Sequence, residues 1–111
     1  MIPRKTRAAL RLRASQCCER CGKWGANNAH HRKNKSQGGP DTLSNLVLLC
    51  GSGCTGCHGW VTVNPDAAEA VGLTIKGTQA IPYMEPVLRF DIYTGDSGWV
   101  LLNDDGGIEE P

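Results

Sequence analysis

Four consecutive apolar residues, Leu46-Val47-Leu48-Leu49, stand between Asn45 and the glycine-rich Gly51-Ser52-Gly53. A short unbroken run bounded by turn residues predicts a strand buried on both faces or nearly so. Upstream, Lys5 to Ser15 mixes the helix formers Ala8, Ala9, Leu10 and Leu12 with arginines at 7, 11 and 13, and predicts a short basic helix. Lys23 to Ala29 reads as a polar loop leading into a short extended segment that ends at His30-His31-Arg32. Lys33 to Thr42, rich in Lys, Gln, Gly and Pro, reads as a loop. The expected core is therefore an antiparallel hairpin with a long loop, followed by a short helix from Cys57 to Thr62.

Downstream, Asn64-Pro65-Asp66 has the order of a helix start, with Asn64 as cap and Pro65 at the first helical position, and Gly72 ends that helix. One helix broken at Pro65 fits the same residues. Val87 to Tyr93 and Trp99 to Leu102 are apolar-rich runs separated by Thr94, Gly95, Asp96, Ser97 and Gly98, which suits a hairpin. Glu109 and Glu110 make an acidic end that is expected to be loose. There is no internal repeat. The fold class is α+β, in one domain: residues 1–63 hold the basic helix and the hairpin core, and residues 64–111 pack a helix and a hairpin on it.

Composition sharpens this outline in two places. Aromatic residues make up 5% of the 111, so the core leans on Leu, Val and Ile, and a cross-link or a metal is welcome in so short a chain. The net charge of +1 hides an asymmetry: residues 1–35 hold ten Lys or Arg against the single acid Glu19, whereas residues 36–111 hold Lys76 and Arg89 against ten acids. A basic half suits a polyanion such as nucleic acid, although a solvated helix face gives the same pattern. Arg7 and Arg11 are four apart and share a helix face that could lie along phosphates. Arg32, Lys33 and Lys35 are candidates for phosphate contact, or a solvated loop. No apolar stretch approaches the ~20 residues of a membrane span, and Met1 to Ser15 lacks the apolar block of a secretory signal. A cytoplasmic protein without a membrane partner is expected.

Six cysteines in such a chain point to metal rather than disulfides. Cys18-x-x-Cys21 is a knuckle that turns two sulfurs toward one tetrahedral ion. Cys17 is its neighbour and an expected bystander. The second pair comes from Cys50, Cys54 and Cys57, among which Cys54-x-x-Cys57 has the tighter spacing. A thiol redox pair is the rival, but the βαβ setting it wants is not visible. The three histidines of the chain fall at His30, His31 and His58.

In order and spacing, Cys18-Glu19-Arg20-Cys21, His30-His31-Arg32, Gly38-Gly39-Pro40, Ser44-Asn45-Leu46, Leu48-Leu49-Cys50 and Cys57-His58 resemble the HNH endonuclease family. That resemblance implies a small ββα-metal domain with a structural zinc on Cys18, Cys21, Cys50 and Cys57. It implies His31 as the base that deprotonates a water and His30 and His58 as ligands of a catalytic cation. It implies that Asn45 holds the loop and orients the His31 imidazole through its amide. With two histidine ligands and oxygens elsewhere, Mg²⁺ or Mn²⁺ is favoured, with Ni²⁺ or Zn²⁺ as alternatives. Two departures stand out. Some relatives carry another His or Asn four residues after His58, where this chain has Thr62. Neighbours in a strand also point to opposite faces, so His30 and His31 share a site only if the strand ends or twists there. The likeness is greatest to the small stand-alone HNH proteins of bacteriophages and their hosts, through Leu49-Cys50-Gly51-Ser52-Gly53 and Gly56-Cys57-His58-Gly59-Trp60-Val61. It implies DNA as the partner and, for a phage protein in its host cytoplasm, help with genome packaging. A zinc-bearing DNA-binding module without catalysis is the alternative function.

Overall fold

The computed structural model describes residues 1–111. Helix α1 spans Arg4–Ala14 and stops where Ser15 turns left-handed at φ 53°. The Ser15 and Gln16 N–H groups close the last turn on Leu12 and Arg11 carbonyls. Its apolar side, Leu10 and Ala14, is buried against the strand that follows in the core.

Strand β1 (Asn28–His31) pairs antiparallel with β2 (Leu46–Leu49), with His31 opposite Leu46 and Asn28 opposite Leu49. Every residue of β2 is buried, as an unbroken apolar run requires. Burying each such leucine contributes on the order of 2 kcal/mol. The long β1–β2 connection is ordered by two 3-10 turns, Lys35–Gln37 and Leu43–Asn45. Between them Gly39 is buried, and a Cβ there would overlap the Lys33 carbonyl, so the loop can close only on glycine.

Helix α2 (Gly56–Val63) and helix α3 (Pro65–Ala70) are separate, meeting at Asn64. Asn64 does not cap α3 with its side chain. Its amide instead donates to the Trp60 carbonyl of α2 at 3.0 Å, so this residue ends one helix more than it starts the next. Gly72, at φ 78°, lies against the Pro86 carbonyl where a Cβ would not fit. This close approach brings the chain after α3 back beside β3.

The C-terminal hairpin is β3 (Val87–Asp91) with β4 (Asp96–Leu102), and its turn falls at residues 92–95, earlier than the glycine content suggests. The acidic end is not loose throughout, because Ile108–Glu109 adds β5 to the edge of β4. Val87 and Leu102 join Leu10, Leu46, Val47, Leu49, Val61 and Leu73 in one apolar cluster. Residues from α1, the β1–β2 unit, α2, α3 and the hairpin thus share a core. No helix is long and apolar enough to cross a membrane.

Candidate functional site

Cys18 and Cys21 lie on the turn before β1, Cys50 follows β2, and Cys57 sits in the first turn of α2. Their four Sγ atoms lie within 4.8 Å of one another. Cys21 and Cys50 Sγ are 3.7 Å apart, close to the ~3.8 Å edge of a tetrahedron with ~2.3 Å metal–sulfur bonds. All six cysteines are free thiols. The surroundings suit thiolates: the Arg20 N–H donates to Cys18 Sγ at 3.4 Å, the Cys57 N–H to Cys50 Sγ at 3.4 Å, and the Arg20 guanidinium to Cys57 Sγ at 3.3 Å. Arg20 also stacks over the Trp60 ring at 3.8 Å, which fixes its direction. Burial pushes the Cys57 and Cys21 thiols up. Bunched thiols of this kind ionise together only around a cation, so the donor set fits a tetrahedral ion such as zinc. Cys54 is exposed, with its Sγ 3.6 Å from the Ser52 hydroxyl, and lies outside the cluster despite its knuckle spacing to Cys57. Cys17 is buried and forms an isolated bridge with Trp24.

Two histidines meet in the β1–β2–α2 unit, His30 from β1 and His58 from α2. The rings of His30 and His58 meet edge to face, with centroids 5.7 Å apart. His30 Nε2 is 2.7 Å from the Leu73 carbonyl, which can only accept, so the hydrogen is on Nε2 and the lone pair on Nδ1. Burial holds the His30 imidazole neutral, lowering its pKa to about 4 against a weaker opposing effect of that hydrogen bond. His58 Nδ1 is buried and has no hydrogen-bond partner. A buried nitrogen without a partner is costly in a folded protein unless a ligand engages it. One neutral imidazole braced from behind by a carbonyl, beside a second imidazole with a buried, unpartnered nitrogen, fits a divalent cation. Thr62 turns its hydroxyl back onto α2, donating to the His58 carbonyl at 3.0 Å.

His31 points elsewhere, as strand alternation demands. Its Nε2 meets Asp41 Oδ1 at 2.7 Å. The expected hydrogen bond from Asn45 to this ring is not made. Asn45 is fully buried, and its amide nitrogen donates to the Lys33 and Pro40 carbonyls at 3.0 Å each, while its oxygen accepts the Lys33 N–H at 2.8 Å. Both amide hydrogens are therefore committed to backbone. Asn45 holds the loop and leaves the imidazole to Asp41.

Two of the cations expected to touch phosphate are internal. Arg32 is 1% exposed, and its guanidinium donates to the carbonyls of Gly72, Ser44, Pro82, Glu85 and Pro86. Lys33 is 5% exposed, with Nζ 2.9 Å from the Thr78 and Ala80 carbonyls. Both face inward because the segment after α3 carries carbonyls that no sheet satisfies. Lys35 remains at the surface, with Nζ 3.3 Å from Asp41 Oδ2. Arg11 is exposed and Arg7 half-buried on α1, and neither pairs with an acid.

Residues 18–60 match the HNH endonuclease family. β1, β2 and the start of α2 fall within them, an arrangement consistent with a ββα-metal fold, and the four clustered cysteines could hold a metal ion. Comparison with curated proteins and with solved structures finds no match.

Proposed function

We propose that this chain, carrying an HNH segment at residues 18–60, is a metal-dependent endonuclease that hydrolyses phosphodiester bonds of DNA. The observation that carries the proposal is the buried, unpartnered Nδ1 of His58 beside the His30 ring, with centroids 5.7 Å apart. His30 and His58 would hold the catalytic cation, with Mg²⁺ or Mn²⁺ favoured because the remaining positions fall to water and phosphate oxygens. When bound, such an ion stabilises the charge on phosphate and on the departing 3′ oxygen. Cys18, Cys21, Cys50 and Cys57 would hold a structural zinc that fixes β2 and α2 in register.

The chain's own groups then have separate tasks. His31 accepts the proton of the attacking water. Asn45 keeps the β1–β2 loop closed so that His31 stays at the strand end. Arg7 and Arg11 lie along the DNA backbone and set affinity rather than rate. By resemblance to the small phage-type proteins, the DNA would be a phage genome handled during packaging in the host cytoplasm.

The second reading is a DNA-binding module without catalysis, favoured by Thr62, which stands where some relatives have a His or Asn. Plasmid cleavage across Mg²⁺, Mn²⁺, Ni²⁺ and Zn²⁺, with His31→Ala alongside, separates the two. Cutting by the wild type that His31→Ala loses while still binding DNA supports the enzyme. A wild type that binds DNA yet cuts with none of the four ions supports the module.

A further inference from the structure

The partner of His31 is a residue to which the proposed chemistry gives no task. His31 Nε2 and Asp41 Oδ1 are 2.7 Å apart, and both side chains are partly exposed, at 21% and 24%. Asp41 lies at the far end of the β1–β2 loop, next to Pro40, whose carbonyl is held by Asn45. Lys35 approaches the second carboxylate oxygen at 3.3 Å. Two loop residues are thus linked in line to the imidazole, Asp41 directly and Lys35 through Asp41. An ionised carboxylate only accepts, so the hydrogen of this bond belongs to Nε2 and the lone pair of the ring lies on Nδ1. The same hydrogen bond, together with Lys35, holds the Asp41 carboxyl below the ordinary carboxylate range.

We propose that Asp41 is a positioning residue for DNA cleavage, holding His31 as the Nε2–H tautomer so that Nδ1 is the atom that takes the proton from water. The inference rests on His31 being the base. In the step it serves, a water O–H proton passes to Nδ1 as the water oxygen bonds to phosphorus. The P–O3′ bond breaks, solvent protonates the departing oxygen, and the imidazolium is stabilised by the carboxylate already beside it. An aspartate that fixes tautomer and orientation without touching substrate is known to matter greatly in serine-protease triads. Here the carboxylate comes from the loop that Asn45 closes, which gives the buried asparagine an indirect part in the same arrangement.

The test uses the full-length, zinc-loaded protein with Asp41→Asn, Asp41→Glu and His31→Ala. Imidazole ¹⁵N shifts of His31 read the tautomer without DNA or catalytic ion, and plasmid cleavage reads kcat and KM separately. The wild type is expected to show Nε2–H. Asp41→Asn, whose amide can donate to Nε2, is expected to move the population toward Nδ1–H and to lower kcat by about 10²-fold or more, with KM changed by less than about threefold. Asp41→Glu keeps a carboxylate and is expected to retain Nε2–H and recover part of the rate. An unshifted tautomer in Asp41→Asn, or kcat within about twofold of wild type, overturns the positioning role while an inactive His31→Ala leaves the base assignment standing. A His31→Ala protein that cuts normally overturns that assignment and the inference with it.

Discussion

His30 Nε2 lies 2.7 Å from the carbonyl oxygen of Leu73, a residue outside the segment that matches the HNH family. The bond sets the ring's tautomer and leaves the lone pair on Nδ1, while the His58 ring stands 5.7 Å away between centroids. The part of the chain beyond α2 therefore does more than cover the core.

Acid should weaken the fold through this ring. The pKa of His30 is lowered to about 4, mainly by burial, whereas in the unfolded chain it has its ordinary value near 6.5. The unfolded state then binds the proton first. Stability is fully present above about pH 6.5, falls as pH drops toward 4, and levels off below that. The loss is on the order of 3 kcal/mol if the full shift applies. Urea denaturation of wild type and His30→Asn between pH 4 and pH 7 checks it. The variant should show a shallower loss, and parallel pH slopes would refute the assignment.

Glu19 should be among the most costly single substitutions in the chain. Its carboxylate is buried and receives Arg13 at 2.8 and 3.1 Å, Arg89 at 2.7 Å and the Leu48 N–H at 2.9 Å. Burial alone would raise its pKa, but the two guanidinium groups outweigh that and hold it lowered. The ion pairs thus contribute above the usual carboxylate value and are lost as pH falls through the lower folded one. Glu19→Gln leaves two partly buried guanidinium groups without their charge and should cost about 3–5 kcal/mol. Chemical denaturation at pH 7 measures this, and a cost below about 1 kcal/mol would place these ions in the class of screened surface pairs.

Local pattern carried much of this molecule, and its limits have a physical cause. The run at 46–49 read correctly as a strand because full burial leaves an unbroken apolar signature. The sequence raised the alternation of His30 and His31 as a conflict with one shared site, but not that His31 would pair with Asp41 while His30 meets His58. What stayed hidden was the destination of polar side chains. Arg32 and Lys33 look like solvated cations in sequence, yet they turn inward to carbonyls 12 to 54 residues away. Asp41 and Glu19 gave no periodic signal, because each matters through one partner set by the tertiary fold. A lone acid in a basic half, as Glu19 is, was the one hint that could have marked it.

The cysteines make a prediction about which thiols are expendable. Cys50→Ser removes a sulfur from the cluster and should abolish stoichiometric zinc, together with the stability that binding provides, which is on the order of 10 kcal/mol in small zinc peptides. Cys54→Ser alters an exposed thiol outside the cluster and should retain one zinc per chain with an unchanged melting temperature. Elemental analysis after gel filtration reads both. Loss of zinc in Cys54→Ser with retention in Cys50→Ser would move the ligand set to the other knuckle.

The two kinds of arginine should separate cleanly by experiment. Arg7 and Arg11 lie on α1 without acidic partners, so removing both should leave the melting temperature nearly unchanged. If each contacts one phosphate, the slope of log affinity for duplex DNA against log salt should fall by about 0.9 per arginine removed. Arg32 behaves oppositely, because its guanidinium is the hub for five carbonyls between Ser44 and Pro86. Arg32→Ala strands those acceptors and should destabilise the protein by about 3 kcal/mol or more. Its salt slope, measured where the variant is still folded, should match wild type. A lowered slope in Arg32→Ala with normal stability would mean that this side chain leaves its carbonyls to meet DNA.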